Sequence, residues 1–158
     1  MLSLPALRTL ALSSALFVLS TFARSAEPAP AATLVSASDP RFRYEGRFDE
    51  ADPAARGVVW QASRIYLDFE SDTLALRFDR PQGENFFDVE IDGRKTLIEV
   101  PQRGAARGAE FSGLGAGRHR LILFKRSEAS AGSVRFRGVE LAPGAQVFAP
   151  AAAAYKLR

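Results

Sequence analysis

Strict two-residue alternation fills the middle of this chain and constrains its fold more than any other feature. Leu74, Leu76 and Phe78 alternate with Ala75, Arg77 and Asp79. Ile65, Leu67 and Phe69 alternate with Tyr66, Asp68 and Glu70, and Phe87, Val89 and Ile91 alternate with Asp88, Glu90 and Asp92. Successive side chains of a strand point to opposite faces, so each run buries one face and wets the other. No 3.6-residue period interrupts the pattern between Asp39 and Pro150. Asp92-Gly93 sits between two such runs, where a two-residue hairpin needs positive φ. Gly115-Ala116-Gly117 punctuates the chain before Arg118–Phe124. The spacing predicts about eight or nine antiparallel strands, around 41–48, 57–62, 64–70, 73–79, 86–92, 95–100, 109–112, 118–125 and 133–142, in an all-β sandwich or barrel.

Three departures from simple alternation carry information. In Arg118–Arg126 both parities are apolar: Leu121 and Leu123 on one, Ile122 and Phe124 on the other. That strand is expected to be central and covered on both faces. In Val134–Leu141 the apolar parity switches at Gly138, which predicts a β-bulge there. Tyr66 and Phe86 fall on the polar parity of their strands. They read as ordinary exposed aromatics, or as a face covered by a sugar or another domain.

The ends are different. Residues 1–23 combine Arg8, an apolar run from Thr9 to Val18 and the small residues Thr21 and Ala23, the pattern of a cleaved secretory signal. The run is shorter than the roughly 20 residues of a bilayer span. Residues 24–38 are rich in Ala, Pro and Ser and read as a flexible leader. A secreted chain with 0 Cys points to a bacterial periplasm or exterior.

Composition removes several kinds of chemistry. The absence of Cys excludes disulfides, thiolate metal sites and cysteine nucleophiles. The net charge of +3 is spread over arginines interleaved with acids, so nucleic acid is not an expected partner. The one His, His119, follows a turn and alternates with Arg118 and Arg120, a place expected for a solvated side chain. No G-x-S-x-G or Gly-Asp-Ser nucleophile motif occurs. Glu84, Asp88, Glu90 and Asp92 crowd one stretch, but shared parity makes 88, 90 and 92 the solvated face of one strand rather than an acid–base pair. No spacing supports a calcium loop or other metal site, and Gly113–Gly117 precedes a strand, so it is a turn and not a phosphate loop. No cofactor is expected.

Several segments together resemble the N-terminal jelly-roll domain of carbohydrate esterase family two, the bacterial acetylxylan esterases. They are Gly46-Arg47-Phe48-Asp49, Trp60, Ser63-Arg64-Ile65 and Thr73-Leu74-Ala75-Leu76-Arg77. Asn85-Phe86-Phe87-Asp88-Val89, Ile91-Asp92-Gly93, Gly117-Arg118-His119 and Leu123-Phe124-Lys125-Arg126-Ser127-Glu128-Ala129 follow in order. The family usually has Thr where Ser127 stands. The resemblance covers about Arg43 to Pro150. It implies a jelly-roll β-sandwich over 39–150, with 151–158 a linker toward an SGNH-type hydrolase domain that carries the serine nucleophile and is missing here. Tyr155-Lys156-Leu157-Arg158 resembles the lead-in to that domain's first strand.

The resemblance implies an accessory domain that packs on a serine esterase domain and shapes its cleft, with acetylated plant polysaccharide as substrate. No catalytic residue is carried over, so esterase activity is not expected of this chain alone. The candidate sugar or domain-interface contacts are Trp60, Tyr66, Phe86, Arg126 and Glu128. Trp60, flanked by Val58 and Val59, fits a core position better than an exposed platform, and Arg126 and Glu128 are placed to pair with each other. The alternative is a free-standing carbohydrate-binding module without catalysis.

Overall fold

A computed structural model describes residues 31–102 and 108–151, all strand, turn and loop. The expected signal segment, residues 24–30 and most of the expected linker lie outside the described residues. Among the described residues, eleven strands form two antiparallel sheets. The five-stranded sheet holds β1 (Thr33–Ser36), β10 (Gly132–Leu141), β5 (Leu74–Gly83) and β8 (Glu110–Phe111) in that order, with β3 (Arg56–Val58) also paired to β10. The six-stranded sheet runs β11 (Gln146–Phe148), β4 (Arg64–Glu70), β9 (Arg118–Lys125), β6 (Phe86–Ile91) and β7 (Arg94–Glu99), with β2 (Arg43–Glu45) also on β4. This is the all-β sandwich that the alternation predicts.

Two elements escaped the sequence reading. Thr33–Ser36, assigned to the flexible leader, is β1 and pairs with β10 from Thr33↔Leu141 to Ser36↔Gly138. Gln146–Phe148 forms β11 on β4. Both are short edge strands whose pairing depends on a long central partner, so local composition hides them.

The core lies between the sheets. Phe78 of β5 stacks on Phe87 of β6 at 5.1 Å between centroids, and Phe136 of β10 meets Phe78 at 5.7 Å and Phe42 edge-on at 5.5 Å. Fully burying such a ring contributes roughly 2–3 kcal/mol. The Asp92-Gly93 turn joins β6 to β7 with Ile91 opposite Arg94 and φ of 52° and 81° at its two central residues, the hairpin expected. The bulge at Gly138 is also present: the β10–β5 register slips between Phe136 and Gly138, and Gly138 adopts φ 120°. A Cβ there would lie 2.0 Å from the Val35 carbonyl oxygen. The slip turns Val139 and Leu141 onto the same inner face as Val134 and Phe136.

Candidate functional site

The outward faces of the two sheets differ in kind. On the five-stranded sheet, Arg77 bridges Glu140 and Glu110, and Arg135 pairs with Asp49 at 3.2 Å. Its one large exposed apolar side chain among the described residues is Leu34. On the six-stranded sheet, Tyr66 (β4), Ile122 and Phe124 (β9) and Phe86 (β6) are half-buried, and Leu97 (β7) is 57% exposed. Cross-strand pairing brings Tyr66 opposite Ile122, Asp88 opposite Phe124 and Asp88 opposite Leu97. A sheet face turned to water is expected to be polar. Ile122 and Phe124 are the outer members of the doubly apolar β9 run, and β9 is central as predicted, but nothing in the described residues covers that side.

Charge surrounds this apolar centre. Arg120 forks onto buried Asp68 at 2.8 and 3.0 Å, Arg126 reaches Asp88 at 3.2 Å, Lys95 reaches Glu90 at 3.5 Å, and Arg43 reaches Glu45 at 3.3 Å. The Tyr66 hydroxyl donates to Glu45 at 2.7 Å while the Arg43 guanidinium lies 4.2 Å over its ring. Burial and the carboxylate together raise the Tyr66 hydroxyl pKa. Arg64 over Phe124 (5.1 Å) and Arg118 over Phe148 (3.7 Å) extend the pattern. An open groove of about 370 Å³ follows the centre of the face, floored by Ile122 and Phe124 and flanked by Tyr66, Asp88 and Glu90. An apolar middle inside a charged rim is how protein contact surfaces are built.

The predicted site residues divide. Tyr66, Phe86 and Arg126 belong to this face or its end. Phe86 begins β6, its amide donating to the Ser127 hydroxyl at 3.1 Å, so the hydroxyl that Ser127 shares with Thr has a structural task. Arg126 pairs with Asp88 and not with Glu128, because residue 126 continues the outward parity of β9 toward β6. Glu128 is exposed in the following turn, where its carbonyl accepts the Ala131 amide. Trp60 is not in the core: it lies half-buried in the β3–β4 loop with Arg47 5.0 Å over its ring, because the chain leaves β3 after Val58 and loses strand parity. Each of Asp88, Glu90 and Asp92 has its own cationic partner, so the acidic stretch forms no carboxylate pair.

His119 corrects the sequence reading most sharply. It is buried, with Nδ1 2.6 Å from Asp92 Oδ2, Nε2 3.3 Å from the Gly115 carbonyl oxygen and its ring against Phe69 at 5.4 Å. Both partners are acceptors, so the doubly protonated ring satisfies both, and the Asp92 bond raises its pKa against the cost of burial. Burial alone would raise the Asp92 carboxyl pKa, but bonds from His119 and the Arg120 amide outweigh it and hold it low. In that doubly protonated form His119 offers no lone pair on either nitrogen for general-base work. It pins the 113–117 turn to the β6–β7 hairpin.

Sequence reasoning also missed Lys125. It is fully buried, its Nζ 2.6 Å from Asn85 Oδ1 and 5.1 Å from the Phe87 ring centroid. Asn85, also fully buried, donates from Nδ2 to the Gln82 carbonyl at 2.9 Å. No carboxylate pairs with the ammonium among the described residues, and burial lowers its pKa to about 8. The signal was present in the alternation: His119, Leu121, Leu123 and Lys125 share one parity.

With that geometry in hand, comparisons with known proteins give a consistent result. A family model described as carbohydrate esterase 2 N-terminal matches residues 44–150. The cellulase/esterase CelE of Acetivibrio thermocellus is 33% identical over 112 residues, which are 71% of this chain and 14% of that protein. A family two carbohydrate esterase from Clostridium thermocellum, solved in complex with cellohexaose, superposes with TM-score 0.59 at 32% identity, over 69% of this chain and 33% of its own. A family two carbohydrate esterase from Cellvibrio japonicus shares the fold with TM-score 0.65 at 22% identity, over 76% of this chain and 36% of that one. The chain thus spans about one seventh of the curated relative and about one third of these solved chains.

Proposed function

This chain belongs to the carbohydrate esterase 2 N-terminal family, and from that premise we propose that it is the accessory β-sandwich of a secreted acetyl-sugar esterase. In this reading the outward face of the six-stranded sheet packs on an SGNH-type serine hydrolase domain and helps shape its cleft for acetylated plant polysaccharide. The carrying observation is the asymmetry of the two faces. One is neutralised by ion pairs, while the other keeps Tyr66, Ile122, Phe124 and Leu97 together inside a charged rim. Leaving such a patch in water forgoes roughly 25 cal/mol per Å² of apolar surface that a partner would bury. Sugar stacking on the same face is the weaker alternative, because guanidinium groups already lie over the rings of Tyr66 and Phe124.

The test mixes the full chain with the separately produced hydrolase domain of a family two esterase and follows complex formation by calorimetry. Binding should be lost in Ile122→Asp/Phe124→Asp, with circular dichroism confirming that the variant folds. Undiminished binding by the variant overturns the assignment of the face. Turnover of an activated acetate ester by the chain alone, abolished by a serine-directed reagent, would overturn the accessory role.

A further inference from the structure

The two sheets do not close on each other along the edge where β7 and β8 face one another. Register fixes which side chains point inward there. Arg94 and Thr96 stand opposite Ile91 and Val89, which are core residues, so both occupy inner-face positions of β7. Phe111 stands opposite buried Leu74 and likewise faces inward from β8. Yet Arg94 and Thr96 are exposed and Phe111 is only half-buried. A cleft of about 400 Å³ opens between the sheets at this point. An inward charge on an edge strand also discourages edge-to-edge association, which accounts for Arg94 but not for the cleft or for Phe111.

The lining suits one kind of guest. Phe111 and Leu114 offer an apolar wall, with the buried side chains Val89 and Ile91 at its floor. Asp92, Arg94, Thr96 and Ser112 supply the polar groups. Around the cleft the carboxylates of Asp92 and Asp72 offset the cations His119 and Arg94, so it has no net attraction for a phosphate or an ammonium group. A pyranose ring meets these terms: an apolar C–H face, and hydroxyls that donate to a carboxylate and accept from a guanidinium. The walls are preorganised. Asp92 is held by His119 at 2.6 Å and by the Arg120 amide at 2.8 Å, and Asp72 accepts the Gly115 amide at 2.8 Å in the facing turn. Holding these groups before binding spares the ordering entropy that weakens loose sites.

We propose that the β7–β8 cleft is a saccharide-binding site that accepts one neutral pyranose ring between Phe111 and the Asp92–Arg94 pair. It is separate from the face assigned to the hydrolase.

Amide NMR titrations of the full chain with xylotriose and cellotriose test this. At least one sugar should shift resonances in Asp92–Thr96 and Phe111–Leu114. Arg94→Ala and Phe111→Ala should each weaken that binding by about tenfold, the loss expected for one charged hydrogen bond or one stacked ring. Ile122→Asp/Phe124→Asp should bind the sugar as the native chain does, which separates this site from the proposed domain contact. Three results would each overturn the proposal: no cleft shifts with either sugar, shifts confined to the Tyr66–Phe124 face, or unchanged affinity in the well-folded Arg94→Ala variant.

Discussion

Replacing Lys125 by Met tests whether an ammonium is truly held inside this sandwich without a counter-charge. Lys125 is fully buried and its hydrogen-bond partner is the neutral Asn85. Burial lowers its pKa from 10.5 to about 8. The unfolded chain therefore keeps its proton to higher pH than the folded one does. Between about pH 8 and pH 10.5 the unfolded state binds more protons, so stability rises with pH. At about 1.4 kcal/mol per pH unit, the whole interval amounts to about 3 kcal/mol. Tyr44 and Tyr66 act oppositely above pH 10, because burial raises their pKa values and the folded chain then retains protons that the unfolded chain releases. The measurement is urea denaturation of native protein and Lys125→Met between pH 7.5 and 9.5. Taking the difference between the two cancels the His119 contribution. That difference should move by about 2 kcal/mol in favour of the native chain as pH rises. Met keeps the length and apolar stem of Lys, so packing is preserved while the charge is removed. A difference that stays constant with pH would mean that water reaches the amine, and would refute the account of a desolvated lysine.

His119→Gln should remove a pH dependence of opposite sign. The raised pKa of His119 gives stability that is complete below about pH 6.5 and lost as pH climbs through the folded-state value. Thermal melts in the Lys125→Met background should show that decline, and the added His119→Gln change should flatten it. Gly138→Ala should lower stability by more than about 2 kcal/mol in urea titrations, since its Cβ would strike the Val35 carbonyl. Gly93→Ala should cost only about 1–2 kcal/mol, for its Cβ meets nothing within 4 Å and only the positive φ resists.

The alternation of β4, β5 and β6 by itself determines the class of this fold, because a two-residue period admits one buried face and one solvated face. The turn at Asp92-Gly93 and the bulge at Gly138 were equally local, since each rests on a backbone conformation that glycine favours. The doubly apolar run in β9 already marked a strand with something to hide on both sides. What escaped depends on partners distant in sequence. β1 and β11 exist because β10 and β4 offer them edges, and a three- or four-residue run has no period to read. Lys125 was not singled out at all, and His119 read as a solvated side chain because charge ordinarily means water. Their burial depends on Asn85, 40 residues away, and on Asp92, 27 residues away. The cleft between β7 and β8 is likewise a matter of where two sheet edges stop. An intrinsic preference acts on neighbours along the chain, whereas the cost of burying a charge is settled only by the groups that folding brings around it.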